Sequence, residues 1–234
     1  MATLRRRSKT GARHPSPLPA VLAFRVTERP LAIDLFCGLG GWTEGLLAAG
    51  YRVVGFDNER HIYGEHRYPA QLVVQDVRTL HGSQFKDAAL IVASPPCQEY
   101  SYRAMPWKRA KALPPPDNAL FDACFRIQRE ACEAAGHHVP LVVENVCGAQ
   151  KWVGRARAHC GSLYLWGDVP ALMPVIHHVK MRGLDWNRYR NGTPGYRGEA
   201  FNTRRVANKR ESAALSAKIP LELADWIGRA WWPV

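Results

Sequence analysis

Short, predominantly apolar runs recur through the middle of the chain: Leu31–Phe36, Val53–Phe56, Leu72–Val74, Ala88–Ala93 and Leu141–Val143. Each reads as a buried strand, because the apolar positions are continuous rather than alternating. Between them Trp42–Ala49 has helical spacing and is closed by Gly50, and Leu120–Ala135 is amphipathic and closed by Gly136. Glycine just past the last periodic residue is a helix stop. Strand, glycine turn and helix in succession open a doubly wound α/β domain, with a ligand expected on the turn at the strand's carboxyl end. The pattern therefore predicts a doubly wound, mostly parallel sheet.

Elsewhere the periodicity fails. Residues 1–29 are rich in Arg, Pro and Ser without an apolar repeat, and a disordered basic tail is expected there. Residues 167–210 are basic, punctuated by Gly and Pro, and weakly periodic, which predicts a small irregular subdomain. Residues 211–234 read as helices interrupted at Ile219-Pro220, with Pro220 starting the second and both packing back on the main unit. Residues 30–166 then form the main domain. No internal repeat is present.

Charge narrows the partner. The formal net charge is +12, which favours a polyanion such as nucleic acid. The tail accounts for part of it, with seven Lys/Arg against Glu28, and nine more Lys/Arg fall between Trp166 and Arg210. No apolar run approaches the roughly 20 residues that span a bilayer, and no leader pattern opens the chain, so a cytoplasmic protein without membrane contact is expected. The six cysteines lack a CxxC pair and read as free thiols in a reducing compartment. Cys147, His159 and Cys160 match no usual zinc spacing, and no metal is expected.

The candidate chemistry gathers at the ends of the predicted strands. The first runs into Cys37-Gly38-Leu39-Gly40-Gly41, the second ends on Asp57, the third leads to Asp76, and the fourth runs into Ser94-Pro95-Pro96-Cys97-Gln98-Glu99-Tyr100-Ser101. A carboxylate ending the second strand is placed to accept from a ribose diol. Two prolines end the fourth strand sharply and hold Cys97 at a loop mouth beside Gln98 and Ser101, where a thiol is either a nucleophile or a small filler. Glu144 ends a fifth apolar strand, an unusual place for a carboxylate, and a thiol converging with a carboxylate pairs a nucleophile with a proton-handling partner. The proline-rich segment Tyr100–Pro116 interleaves Arg103, Lys108, Arg109 and Lys111 with Tyr102 and Trp107, suited to phosphate contacts and base stacking.

Together these residues resemble the cytosine-5 DNA methyltransferases. Asp34–Gly41 resembles that family's cofactor motif, Ser94–Ser101 its Pro-Cys-Gln motif, and Glu144-Asn145-Val146 its Glu-Asn-Val motif, in the same order. The resemblance implies a Rossmann-like methyltransferase fold and methyl transfer from S-adenosylmethionine to C5 of a cytosine flipped out of duplex DNA. It implies that Cys97 adds to C6 while Glu144 holds or protonates N3. It further implies that Phe36, Gly38, Gly40 and Gly41 cradle the cofactor, Asp57 meets its ribose and Asp76 its adenine amino group. Pro96 would position the loop, Asn145 the turn beside Glu144, and Gln98 and Ser101 would face substrate. Of the family's Gln-x-Arg-x-Arg motif, Gln150, Arg155 and Arg157 are present but stretched; Arg157 is the expected catalytic arginine and Arg155 a substrate contact. The 167–210 target-recognition region is short, and Lys218-Ile219-Pro220 stands where the family has Gly-Asn. The implied protein is a monomeric prokaryotic or phage enzyme, its partner nuclease open. Alternatives are an RNA (tRNA) cytosine-5 methyltransferase and a degenerate DNA-binding relative; an exocyclic amino-methyltransferase would not need Cys97.

Overall fold

The computed structural model describes residues 29–101, 108, 112–174 and 209–233. Nearly all of the expected basic tail, most of the 102–111 loop, and residues 175–208 of the expected recognition region lie outside the described residues. The elements, in chain order, are β1 (Leu31–Leu35), α1 (Gly41–Ala48), β2 (Arg52–Asp57), a hairpin of β3 (Ile62–Tyr63) and β4 (His66–Arg67), β5 (Gln71–Val74) and β6 (Ala88–Ala93). They continue with α2 (Ala119–Ala135), β7 (Leu141–Asn145), α3 (Gln150–Val153), β8 (Ala158–Cys160), β9 (Leu163–Gly167), α4 (Lys209–Ala217) and α5 (Leu221–Ala230).

Seven strands form one sheet in the order β5-β2-β1-β6-β7-β9-β8. The first five are mutually parallel, and β9 runs antiparallel to both β7 and β8. All five strands expected from the apolar runs are present, and the doubly wound sheet is confirmed. Its faces carry separate cores, which is why the runs are continuous. On one face Ile33, Leu35, Ile91 and Val143 pack against Phe121, Cys124, Ile127 and Ala131 of α2. On the other Ala32, Val53, Val92 and Val142 pack against Trp42 and Leu46 of α1 and Leu223 and Ile227 of α5.

Two readings shift. The fifth strand was expected to end at Glu144 but runs on to Asn145, because β9 extends the ladder by pairing Leu165 with Glu144 and Tyr164 with Asn145. Pro220 caps α5 from outside rather than occupying its first turn. Strand order reverses between β1 and β6, so the crevice of this sheet opens at their carboxyl ends.

Candidate active site

The glycine turn leaves β1 through Phe36, the one non-glycine residue with positive φ among those described, at 58°. A backbone of that kind costs about 1–3 kcal/mol and persists only where neighbours fix it. Here the Cys37 N–H donates to the Phe56 carbonyl at 3.1 Å and the Gly40 N–H to the Cys37 carbonyl at 2.7 Å. The glycines serve different needs. A Cβ at Gly38 would meet nothing within 4 Å, so open space lies against that backbone. A Cβ at Gly40 would come 2.5 Å from Pro69, and one at Gly41 would come 2.2 Å from the Ile219 nitrogen.

Beneath the turn is a buried network that the sequence reading did not find. Thr43 donates from Oγ1 to Asp34 Oδ2 at 2.6 Å and lies 2.6 Å from the Tyr68 hydroxyl. Asp34 is wholly buried and its Oδ1 has no partner among the described residues. Burial pushes its carboxyl up to about 7, the Thr43 hydrogen bond opposing and Asp57 adding to the rise. The same burial raises the Cys37 thiol far above its usual range, which makes Cys37 an inert core residue.

A cavity of about 490 Å³ lies on the turn at the sheet's carboxyl edge. Phe36, Gly38, Gly41, Asp57, Asp76, Pro96 and Gln98 line it; Gly40 does not. Asp57 Oδ2 accepts the Gly38 N–H at 2.9 Å, so this carboxylate braces the turn as well as facing the cavity. His61 stands beside it, with Nε2 3.6 Å from Asp57 Oδ1. Asp76 is already engaged: Arg78 donates to it from Nη2 at 2.6 Å and from Nε at 3.0 Å, which holds its carboxyl below the usual range. The volume falls among small-molecule sites of about 300–1,000 Å³. Open backbone at Gly38 and a braced carboxylate at Asp57 fit a nucleoside cofactor.

Beside the cavity, β6 and β7 are laced together. Trp42 Nε1 donates to Ser94 Oγ at 2.9 Å, and Ser94 Oγ donates to Glu144 Oε2 at 3.1 Å. Asn145, 1% exposed, donates to the Pro95 carbonyl at 2.9 Å and accepts the Val146 N–H at 2.8 Å. The loop that carries Cys97 and the strand end that carries Glu144 are therefore fixed to each other. Cys97 is half-buried, Gln98 exposed and Ser101 half-buried. Ser94 and Trp42 were missed as site residues. The position of Ser94 as the first residue past β6 was the available signal.

The arginines are not drawn into this group. Gln150 accepts the Ala156 N–H at 3.2 Å and so shapes the turn before β8. Arg155 and Arg157 are exposed and do not line the cavity. Ala158, next to Arg157, is in register with Glu144 across β9, two strand spacings or about 10 Å away.

A mostly parallel sheet flanked by helices, with a glycine turn and cavity at its carboxyl edge, defines a Rossmann-like α/β fold. The family model described as C-5 cytosine-specific DNA methylase matches residues 31–148, half of the chain, and the protein belongs to that family. Its members use S-adenosylmethionine. Similar solved structures include a DNA modification methyltransferase encoded in an E. coli prophage, at 23% identity over 53% of this chain and 34% of that one, with a TM-score of 0.37. Others are the S. pombe Dnmt2 methyltransferase (18% identity, 53% and 36% coverage, TM-score 0.35) and an Entamoeba histolytica methyltransferase (17%, 53% and 40%, 0.36). The chain thus spans little more than a third of the length of these proteins. Comparison with curated proteins gives no match.

Proposed function

We propose that the chain is a DNA cytosine-5 methyltransferase working through a covalent Cys97–C6 adduct. Carbon 5 of cytosine is a poor nucleophile. The Cys97 thiolate adds to C6, forming the Sγ–C6 bond, while Glu144 holds a proton at N3 so that the ring's electrons collect at C5. S-adenosylmethionine, held by the turn at Phe36 and Gly38 and by Asp57, supplies when bound the methyl group that C5 takes. Loss of the C5 proton then restores the double bond and expels the thiolate. The target base has to leave the duplex to reach these groups. Asn145 positions both partners, and Ser94 orients the Glu144 carboxylate.

The lacing of Ser94 to Glu144 at 3.1 Å and Asn145 to Pro95 at 2.9 Å carries this reading, because it ties the nucleophile's loop to the proton carrier's strand. The test is transfer of tritiated methyl from S-adenosylmethionine to duplex DNA and, separately, to tRNA. Label is expected on DNA with the wild type and none with Cys97→Ser. Duplex containing 5-fluorocytosine is expected to trap a covalent complex, since fluorine cannot leave as a proton does. Turnover on that duplex without an adduct would remove Cys97 from the nucleophile's role, and label on tRNA alone would transfer the reading to RNA.

A further inference from the structure

We infer that His61 reads the sugar of the cofactor: its Nε2 and Asp57 Oδ1 converge on one ribose hydroxyl. The assignment rests on the cofactor named in the proposed function. His61 directly precedes β3, and with Asp57, Asn58 and Glu59 it lines the cavity where β2 ends. A carboxylate at that strand end is where a ribose diol is expected.

The two oxygens of Asp57 are differently engaged. Oδ2 accepts the Gly38 N–H at 2.9 Å and is committed to the turn. Oδ1 accepts the Glu59 N–H at a long 3.4 Å and faces His61 Nε2 at 3.6 Å. A nitrogen and an oxygen that far apart make no hydrogen bond, yet both can lie about 2.8 Å from a third atom between them. A hydroxyl suits that gap, since it donates to the carboxylate and accepts from the ring. The ring is set for this from behind, with Nδ1 3.5 Å from the Tyr63 hydroxyl and 3.6 Å from Glu59 Oε1. Of the two carboxylates that flank it, the Asp57 side chain is 11% exposed and that of Glu59 67%. Water screens Glu59 more, so Asp57 decides which nitrogen holds the proton, and places it on Nε2. Nδ1 is then the acceptor that meets the Tyr63 hydroxyl.

Calorimetry on the full chain with S-adenosylhomocysteine and its 2′-deoxy and 3′-deoxy analogues tests the shared hydroxyl. The analogue that lacks it is expected to bind wild type about tenfold more weakly than the parent, as for loss of a hydrogen bond to a charged group. His61→Phe keeps an aromatic ring and removes both nitrogens. It is expected to weaken the parent and the other analogue about fivefold, as for loss of a neutral hydrogen bond, and to leave the first analogue unchanged. His61→Gln keeps an N–H donor and is expected to recover part of the loss. Equal losses of all three compounds in His61→Phe, as a merely structural role would give, overturn the assignment. No loss of any, or a wild type indifferent to both hydroxyls, does the same. A wild-type chain that takes up none of the three overturns the proposed function, and the assignment with it.

Discussion

Asp34 and Asn145 are both buried polar residues, and they behave oppositely because their satisfaction differs. Asn145 has partners on both sides of its amide, and Asn145→Ala strands the Pro95 carbonyl and the Val146 N–H. A loss of about 1–3 kcal/mol in urea denaturation is expected. Asp34 is wholly buried, with one oxygen unpaired among the described residues; burial favours its protonated form, with Asp57 adding to the effect, and its pKa rises from 3.8 to about 7. Between those values the folded state binds more protons than the unfolded one, so this residue's contribution is full below pH 4 and is lost as pH rises through 7. Asp34→Asn keeps the Thr43 hydrogen bond and removes the penalty. Its stability relative to wild type is expected to grow from pH 5 to pH 8 in paired urea melts; a difference independent of pH would refute the raised carboxyl. Position 34 showed in the sequence only as an acid inside an apolar run, since its burial follows from α1 and Tyr68 packing over it. The loop mouth that holds Cys97 and the strand end that holds Glu144 were legible as places in the fold, because prolines and an apolar strand mark them. The places of Arg155 and Arg157 were not, because pairing across β9 rather than spacing decides where they lie.

Among the elements, legibility followed length and period. The five parallel strands and α2 are long enough for their apolar pattern to identify them. The two-residue strands β3 and β4 and the three-residue β8 are too short to carry a period, and they exist through tertiary contacts. The hairpin matters nonetheless, since it delivers Tyr68 and Pro69 onto Gly55 and Gly40. The closest helix contact, α1 on α5, was only partly readable. Gly45 lies inside the helically spaced run without showing what it faces: a Cβ there would stand 2.4 Å from the Ala224 Cβ and 2.5 Å from the Asp225 nitrogen. Gly45→Ala raises helix propensity but must push the helices apart, and overpacking costs about 1–3 kcal/mol. A lower denaturation midpoint is expected, together with weaker S-adenosylhomocysteine binding because α5 carries the Lys218–Ile219 joint against the turn. A variant as stable as wild type would show that the seam is slack.

For the whole molecule, charge and fold divide along the sequence. Segments 1–28, 102–111 and 175–208 hold seventeen Lys/Arg and three Asp/Glu, while the remaining residues hold fifteen and seventeen. The positive charge therefore resides outside the residues that build the sheet and cavity. The chain is near neutral around the cavity and basic in the segments that, under the proposed function, meet a polyanion. A protein that neutralises phosphates releases counterions, so the logarithm of its affinity falls linearly with the logarithm of salt, by about 0.9 for each phosphate on duplex DNA. Replacing Arg188, Arg190, Arg204 and Arg205 with alanine is expected to make that slope shallower and to weaken duplex binding at every salt concentration. Binding of S-adenosylhomocysteine should stay as in wild type, since none of the four lies in the sequence segments that line the cavity. Fluorescence anisotropy with a labelled duplex from 50 to 300 mM salt (on the order of the range over which such slopes are read) measures the first effect, and calorimetry the second. An unchanged slope would mean that these arginines do not meet phosphate, and the search for the DNA contact would move to the tail and to the loop that follows Cys97.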